Sequence, residues 1–408
     1  MRTFAATLAA VGLAVTLTAC GSTVSGTSQP AELDIRKLDV GNYPTVPLNA
    51  HDDDYRPAFY KMHEVAATRL TDYVTSAYDI DPRMKYGGLA TTLSAGVLPW
   101  ELGPESIMVP VAKQNKMLFG FKVAGGDKSF SINGYQPWPA KPEQHKNSTT
   151  VATTVMQFPD ADRAQQAAAQ FYDADFGALQ EVNQPATLTK YPQVKAHSQP
   201  GSPFLRTFLA HGPYVVSFLI STPSGDMSGL TSLAQQAYDT QLPMLDKLKP
   251  LTEEEVLLLP WDPDHLLTRT LNPHNYEGPY NGNDRGLFGP QGMLAFVNNR
   301  EFTKKQFTAM KADKFASLEG TLVAHVPDAA TAKKTVAERI TLTQIKQPAE
   351  APPNVPDSAC VENQPEPRVK RFTCVVAYRE YVGFVTSDQL PDTHQRAAAQ
   401  YSLFANSH

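Results

Sequence analysis

The chain has 408 residues, of which 42% are hydrophobic and 19% charged, so it is large and apolar enough for two domains with real cores. Its 36 basic and 41 acidic residues give a formal net charge of −5 without any basic run. This balance argues against nucleic acid as a partner and leaves no polybasic patch for anionic lipid.

The first element of the chain has the plan of an export signal. Arg2 precedes an uncharged run from Thr3 to Ala19, and small residues flank Cys20. A charged head, an apolar middle and a small-residue cleavage site are typical of a secretory signal peptide. The run is too short, and too rich in alanine, threonine and glycine, for a membrane-spanning helix. We therefore predict that residues 1–19 are a signal peptide.

Cys20 follows this signal in a specific setting. Residues Leu17-Thr18-Ala19-Cys20 match the bacterial lipobox, whose cysteine receives a diacylglycerol; the alternative is an ordinary signal peptide with an incidental cysteine. Each buried acyl methylene contributes about 0.8 kcal/mol, so two or three chains form a stable anchor. We predict that lipidated Cys20 holds the exported protein on the outer face of the cell membrane. Residues 20–36 then form a flexible tether rich in Ser, Thr, Gly and Gln.

Residues 37–259 are predicted to form an N-terminal α+β domain that opens with an extension as far as about Thr150. The clearest element of this extension is a helix beginning near Tyr55, because apolar residues recur there at helical spacing. This stripe contains Met62, Val65, Leu70, Tyr73 and Val74.

An internal repeat is the most informative feature of the remaining sequence. Residues 155–164 recur as 322–332, and each copy is an apolar strand that stops at Pro-Asp, where the aspartate is placed to cap a helix. A tyrosine that opens a second hairpin strand lies 55 residues after this proline in the first copy and 54 in the second. Chance similarity would not keep this spacing.

Alternating apolar and β-branched residues predict the two hairpins. Phe204–Leu209 returns as Tyr214–Ile220, and Val369–Ala377 returns as Tyr381–Val385. With a closing helix, each copy reads strand, helix, strand, strand, helix. This order predicts the α+β class, with an antiparallel sheet in each module and helices packed on one face.

The boundaries follow from composition. Residues 260–290 are rich in Pro, Gly and Asn, which predicts a surface connection, and residues 291–408 are predicted to be the C-terminal α+β domain.

The mature chain keeps two further cysteines, Cys360 and Cys374. In an oxidising compartment such a pair is most simply a disulfide, and closing a loop of about 15 residues stabilises by about 3 kcal/mol. A metal or redox pair would need CxxC-type spacing or histidine partners.

Catalytic and metal signatures are missing from the sequence. Gly120 and Gly125 have the first spacing of a phosphate loop, but Gly126 stands where the lysine is needed, which favours a turn between strands. Ser228 is the nearest approach to a nucleophile elbow, and its position favours a turn or cap residue. The ten histidines are scattered singly. We therefore predict no catalytic residue, no metal site and no cofactor.

Aromatic side chains offer one further lead. They occur in the proline-rich connections, where they stack on sugars, line an apolar cleft or pin the loops to the domains; we favour pinning. The set is Tyr135, Trp138, Trp261, Tyr276, Tyr280 and Phe288.

The lipobox, the Leu38–Thr45 segment and the Phe158–Ala161 element together resemble a family of uncharacterised lipoproteins of mycobacteria, nocardiae and rhodococci. The resemblance implies a cell envelope with an outer mycolate layer and brings no activity. The second half also resembles, more loosely, extracellular sensor domains of mycobacterial kinases, which is an analogy of fold.

Three functions follow as hypotheses. The leading one is a non-enzymatic envelope protein whose two modules bind an envelope lipid or a protein partner in the cleft between them. The second is an envelope hydrolase with a nonstandard site, and the third is a structural or assembly role at the cell wall.

Overall fold

The computed structural model describes residues 33–47, 61–129, 147–274, 284–365 and 369–407. The predicted signal peptide, Cys20 and most of the predicted tether lie outside these residues. Residues 37–408 form one compact unit, which contains two seven-stranded antiparallel sheets.

The first module carries the first sheet. Its strands are β1 (Tyr86–Leu93), β2 (Phe119–Gly126), β3 (Thr150–Gln157), β4 (Gln184–Ala186), β5 (Lys195–Ser198), β6 (Phe204–His211) and β7 (Tyr214–Ser221). Its helices are α1 (Met62–Leu70), α2 (Ala77–Ile80), α3 (Glu105–Gln114), α4 (Ala161–Ala178), α5 (Met227–Leu245) and α6 (Glu253–Leu257). The strands lie in the order β1-β2-β3-β7-β6-β5-β4.

The second module has the same sheet topology. Its strands are β8 (Gly286–Phe288), β9 (Lys314–Leu318), β10 (Thr321–His325), β11 (Lys346–Ala349), β12 (Ser358–Asn363), β13 (Phe372–Tyr378) and β14 (Tyr381–Ser387). Its helices are α7 (Pro290–Leu294), α8 (Arg300–Met310), α9 (Ala329–Ala337) and α10 (Leu390–Ala405). The order β8-β9-β10-β14-β13-β12-β11 repeats that of the first sheet.

The α+β class and the two antiparallel modules are confirmed, and the repeat is longer than predicted. The series β1-α3-β2-β3-α4-β4-β5-β6-β7-α5 recurs as β8-α8-β9-β10-α9-β11-β12-β13-β14-α10, with one additional short helix, α7, between β8 and α8. The predicted five-element unit misses the strand, helix and strand in front and the two strands after the first helix. β8 lies inside the stretch predicted as a connection, because a three-residue strand among turn residues leaves no periodic signal.

Helices cover both faces of each sheet, so the expectation of one covered face is wrong. On β7, Val215 packs in the cluster that contains α4, whereas Val216 and Phe218 pack with α5. In the second module, Val382 packs with α9, and Gly383 lies against Gln400 of α10. Every residue of β3 and β7 is buried, which is typical of a sheet covered on both sides.

The predicted caps and hairpins are confirmed. The carboxylates of Asp160 and Asp328 accept the backbone N–H groups of Arg163 and Thr331, both at 2.7 Å, and so satisfy orphan donors at the start of α4 and α9. The hairpins β6-β7 and β13-β14 turn where the sequence predicted.

The predicted extension helix is present in its described part. α1 ends at Leu70 and continues as a short 3₁₀ turn over Thr71–Tyr73; Met62, Val65, Leu70 and Val74 are buried in the first core. Tyr55 lies outside the described residues.

Gly120 and Gly125 lie within β2 and not in a turn. A Cβ on Gly125 would overlap Nη1 of Arg300, and a Cβ on Gly120 would lie 2.7 Å from the carbonyl oxygen of Val155. These glycines therefore permit close approach inside a sheet, a role that their spacing alone does not reveal.

Arg300 joins the two modules. Its side chain is fully buried and donates to the carbonyl oxygens of Ala124 in β2, at 2.9 Å, and of Leu294, at 3.2 Å. Burial lowers the pKa of this guanidinium to about 10, so it is charged at neutral pH. Its backbone N–H also donates to the carbonyl oxygen of Lys85, at 2.9 Å.

A second contact between the modules is made by a carboxylate. Asp72 accepts the backbone N–H groups of Gly289 and Gly292, each at 2.7 Å, at the start of α7. Burial raises the pKa of Asp72, although these two N–H groups act in the opposite direction. The backbone N–H groups at this helix start thus find their acceptor in the other module.

Replacing Arg300 by alanine should destabilise the whole fold. The change leaves buried carbonyl oxygens without their donor, and we expect the free energy of unfolding to fall by about 3 kcal/mol. Urea unfolding measures this, with Arg83→Ala as the control, because the Arg83 side chain is 85% exposed. Equal losses in the two variants would contradict the assignment.

Candidate ligand-binding site

A cavity of about 520 Å³ lies in the first module at the end of α4. It is lined by the segment before α3, the end of α4 and strands β5 and β6. The lining residues are Trp100, Gly103, Pro104, Asp175, Ala178, Leu179, Asn183, His197, Gln199 and Arg206. Small-molecule sites fall in the range of about 300 to 1,000 Å³.

Asp175 is the centre of the polar part of this cavity. His197 Nε2 lies 2.7 Å from Asp175 Oδ2, and Arg206 Nη1 donates to the same oxygen. The guanidinium is further fixed because its Nε donates to the carbonyl oxygen of Glu101 at 2.7 Å. Asp175 and His197 are 4% and 5% exposed.

Charge explains why this arrangement holds an ionised carboxylate. Burial alone would raise the pKa of Asp175, but the hydrogen bond from His197 and the positive charge of Arg206 outweigh it, and the pKa lies below its usual range. A second buried ion pair, Lys122 with Glu101, lies next to Arg206.

The fold places the three residues together by simple geometry. His197 on β5 is the direct cross-strand partner of Arg206 on β6, so both side chains project from the same face of the sheet. Asp175 lies on the last turn of α4, which packs on that face. Gly103, at φ 138°, allows the backbone before α3 to lie against the Asp175 carboxylate, because a Cβ at this position would lie 2.6 Å from Asp175 Oδ1.

His197 has one unused ring atom. Its Nδ1 is buried and has no hydrogen-bond partner among the described residues. The ring is held edge-on by Tyr172 and Phe176, at centroid distances of 5.7 and 5.8 Å. A buried acceptor or donor without a partner is costly, and a bound ligand is one way to satisfy it.

The second module lacks this site. The position eight residues before the hairpin tyrosine is Arg206 in the first copy and Thr373 in the second, where its cross-strand partner is Val361. α9 has 9 residues against 18 in α4, so the turns that carry Asp175 have no counterpart. The cavity therefore belongs to one copy and not to the shared scaffold.

The cysteines lie in the second module. Cys360 and Cys374 are direct partners on β12 and β13 and form the predicted disulfide. Together with His394 they are a group of potential metal ligands among the described residues, but the disulfide occupies both sulfur atoms. Cys20 lies outside the described residues, and its lipidation stays a prediction.

The other sequence leads have structural explanations where the structure describes them. Ser228 lies in the first turn of α5, and its hydroxyl donates to the carboxylate of Asp226, which is the N-cap of that helix, at 2.7 Å; Ser228 is therefore neither the turn nor the cap residue that the sequence predicted. Trp261 packs against the first core and Phe288 is buried in the second, as the pinning interpretation expects. Tyr135, Trp138, Tyr276 and Tyr280 lie outside the described residues.

Sequence reasoning missed Asp175, His197 and Arg206. The three residues are spread over more than thirty positions and match no motif. The length of the copies gave no signal either, because the hairpin tyrosine follows the proline of the Pro-Asp cap by 55 residues in one copy and by 54 in the other, although α4 has 18 residues and α9 has 9.

Comparison with known proteins places both modules in one family. Residues 53–261 match the family described as "Domain of unknown function (DUF7373) N-terminal", and residues 266–407 match its C-terminal counterpart. The expected family without a known function is confirmed; its lipoprotein nature and range of organisms stay predictions. No curated protein matches the chain significantly.

The chain is weakly similar to the crystal structure of the extracellular domain of PknH from Mycobacterium tuberculosis. It is 12% identical with a TM-score of 0.30, and the match covers 43% of this chain and 94% of that one. This likeness is too weak to support a functional assignment. Among the described residues, no helix combines the length and the apolar character needed to cross a membrane.

Asp175→Asn should destabilise the protein in a pH-dependent way. A carboxylate with a lowered pKa stabilises the fold above its unfolded pKa and loses this contribution as pH falls through the folded value. At pH 7 we expect the free energy of unfolding to be about 3 kcal/mol lower in the variant than in the wild type. This difference should shrink as the pH falls below 3.8, the ordinary pKa of an aspartate. Urea unfolding at pH 7, 5 and 3 measures this.

Asp246→Asn is the matched control, because Asp246 pairs with His211 at the surface, where its side chain is 63% exposed. The free energy of unfolding of this control should fall by less than about 1 kcal/mol. A similar loss in both variants, or a loss in Asp175→Asn that does not vary with pH, would count against the buried charge cluster.

Proposed function

The chain belongs to the DUF7373 family, whose two domains of unknown function span both modules, and on this premise we propose that it is an exported lipoprotein that binds a small ligand. The ligand occupies the cavity beside Asp175, and the protein does not change it chemically. Cys20 carries the lipid that holds the protein on the outer face of the membrane.

The buried His197 carries the binding part of this proposal. It lines a cavity of about 520 Å³, is fixed through Nε2 by Asp175, and keeps Nδ1 without a partner among the described residues. An arrangement that orients an imidazole and leaves one nitrogen unsatisfied is suited to a ligand that completes the hydrogen bonding.

The lining residues favour binding over hydrolysis. They include an acid and an imidazole but no serine, threonine or cysteine that this pair could activate. The runner-up hypothesis is an envelope hydrolase, which at this position would have to activate water directly, because the lining offers no side-chain nucleophile for a covalent intermediate.

The ligand site differs from the expected cleft between the modules. Between the two modules, Arg300 and Asp72 make hydrogen bonds from one module to the other. The cavity lies within the first module. A packed contact of this kind also suits a structural role at the cell wall, which is the second candidate function.

The anchor is supported by the sequence around Cys20 and by the disulfide. A bond between Cys360 and Cys374 suits an oxidising compartment outside the cytoplasm. The sequence before Cys20 has the order of a cleavable signal.

Native mass spectrometry of the protein purified from its own envelope tests the binding function. The wild-type chain should retain a small-molecule mass that His197→Leu lacks, because the change removes both ring nitrogens from the cavity. His211→Leu is the control, since His211 makes its own pair with Asp246 near the surface. An empty wild-type monomer would count against ligand binding.

Cys20→Ala should release the protein from membranes. Without the thiol no acyl chain can be attached, and no other described segment provides a span. Cell fractionation and immunoblotting measure the change, and Ser22→Ala, which leaves the cysteine in place, should stay in the membrane fraction. Retention of Cys20→Ala at the wild-type level would overturn the anchor.

A further inference from the structure

We propose that the second module holds a zinc site that exists only while its disulfide is reduced. The ligands are the thiolates of Cys360 and Cys374 and the imidazole of His394. The disulfide is the oxidised form of this site and cannot hold the metal. The site lies in the module without the ligand cavity, so it does not depend on the proposed function.

Three potential ligand atoms lie together at one point of the second module. The sulfur atoms of Cys360 and Cys374 and one ring nitrogen of His394 all lie within 4.8 Å of one another. Two sulfur atoms bound to zinc in a tetrahedral site lie about 3.8 Å apart, because each Zn–S bond is about 2.3 Å long. The three atoms are therefore close enough to share one ion after small side-chain rotations.

The sheet brings the two cysteines together and does not need the disulfide to do so. Cys360 and Cys374 are direct partners in a ladder of five residue pairs between β12 and β13. The outer strands β11 and β14 also pair with these two strands at the same two residues. Cross-strand partners project from one face of a sheet as close neighbours. Both thiols should therefore stay side by side after reduction.

His394 is oriented as metal-binding histidines are. Its Nε2 lies 2.8 Å from the carbonyl oxygen of Glu350. A carbonyl oxygen only accepts, so Nε2 carries a proton whether the ring is neutral or charged. Nδ1 is then the nitrogen left for a metal, and a divalent ion displaces any proton that this nitrogen carries. A backbone carbonyl in this position fixes the ring of many metal-binding histidines.

Burial and charge favour a soft divalent ion at this point. Cys360 and Cys374 are fully buried, and two thiolates in such a place need a compensating charge. Zn²⁺ supplies it, because two thiolates, one bound imidazole and a divalent cation sum to zero. Calcium and magnesium prefer oxygen ligands, whereas thiolate and imidazole suit zinc. His394 is partly exposed, so the ion and a water as fourth ligand reach the site from the side of this ring.

The change between the two forms is a balanced two-electron exchange. A dithiol reductant passes two electrons and two protons to the disulfide of Cys360 and Cys374, which becomes two thiols, and the reductant becomes a disulfide itself. Zn²⁺ then binds both sulfur atoms as thiolates and releases their two protons. When a disulfide oxidant takes back the two electrons, the oxidant leaves as two thiols with two protons from solvent. The protein disulfide re-forms, and Zn²⁺ leaves because the sulfur atoms no longer carry charge.

Cobalt spectroscopy on the mature chain tests this site. Cys20→Ala serves as the parent chain, because the sequence has three cysteines and this change leaves only Cys360 and Cys374. After reduction by dithiothreitol, and removal of the reductant without air, one Co²⁺ per chain should give the charge-transfer and visible bands of a tetrahedral thiolate site. Zn²⁺ should abolish these bands by displacing Co²⁺. The oxidised chain should show neither band.

Two variants of the parent chain locate the ion. His394→Gln keeps both thiols and should weaken Zn²⁺ binding by about a hundredfold, since even the loss of a group that only orients a ligand costs about 10- to 100-fold. His325→Gln is the matched control in the same module, because His325 pairs with Asp313 near the surface. This control should bind Zn²⁺ as the parent chain does.

Thermal unfolding of the reduced chain is the second measurement, so that a loss of stability on reduction does not hide the result. Zn²⁺ should raise the unfolding midpoint of the parent chain and of His325→Gln but not that of His394→Gln, because only a bound ion stabilises the folded state. A missing tetrahedral band or an unchanged midpoint in the reduced parent chain would contradict the site. Bands and Zn²⁺ affinity that His394→Gln leaves unchanged would contradict it as well, since the ion would then bind without the histidine.

Discussion

The burial of Arg300 is the constraint on which the arrangement of the two modules depends. A charged guanidinium without water needs acceptors, and backbone carbonyls from both modules supply them. It reaches Ala124 only because Gly125 has no side chain to block it. The backbone beside it pairs as well, since Gly87 donates to the carbonyl oxygen of Asn298 at 2.8 Å. The same few residues therefore fix both the distance between the modules and the register of their contact.

Within this arrangement the two copies share a scaffold and differ in what they add to it. Ala196 and Thr207 are cross-strand partners on β5 and β6 of the first sheet. The equivalent cross-strand partners on β12 and β13 of the second sheet are Cys360 and Cys374. In the first copy the Thr207 hydroxyl bonds to that of Tyr238, 2.9 Å away, and in the second a disulfide crosses the same place. The next cross-strand pair in the first sheet is His197 with Arg206. The first module thus carries a polar cavity and the second a covalent link, at neighbouring cross-strand pairs of the same sheet topology.

The sequence predicts those parts of the fold that depend on local chemistry. Asp160 and Asp328 cap helices because their side chains have the right donors three residues ahead, and the hairpins follow from alternation. β4 and β11 are edge strands of three and four residues that contain proline, so no pattern reveals them.

The polar site is harder to predict because it depends on tertiary placement. Asp175, His197 and Arg206 meet only after a helix and two strands have packed. Helices on both faces were readable in part, since β7 is a nearly continuous apolar run without the alternation of a half-exposed strand, as expected of a strand covered on both sides.

The segment after the predicted tether shows which module would bear the proposed anchor. Asn406 donates to the carbonyl oxygen of Thr45 at 2.6 Å, and Tyr43 donates to Asp392, so this segment lies along α10. The chain therefore contacts the second module before it enters the first. A lipid at Cys20 would hold the folded part of the protein through this segment and α10. Helix α10 also covers the sheet face on which the disulfide lies. The proposed anchor and the disulfide would then both belong to the second module. The cavity lies in the first module and takes part in neither.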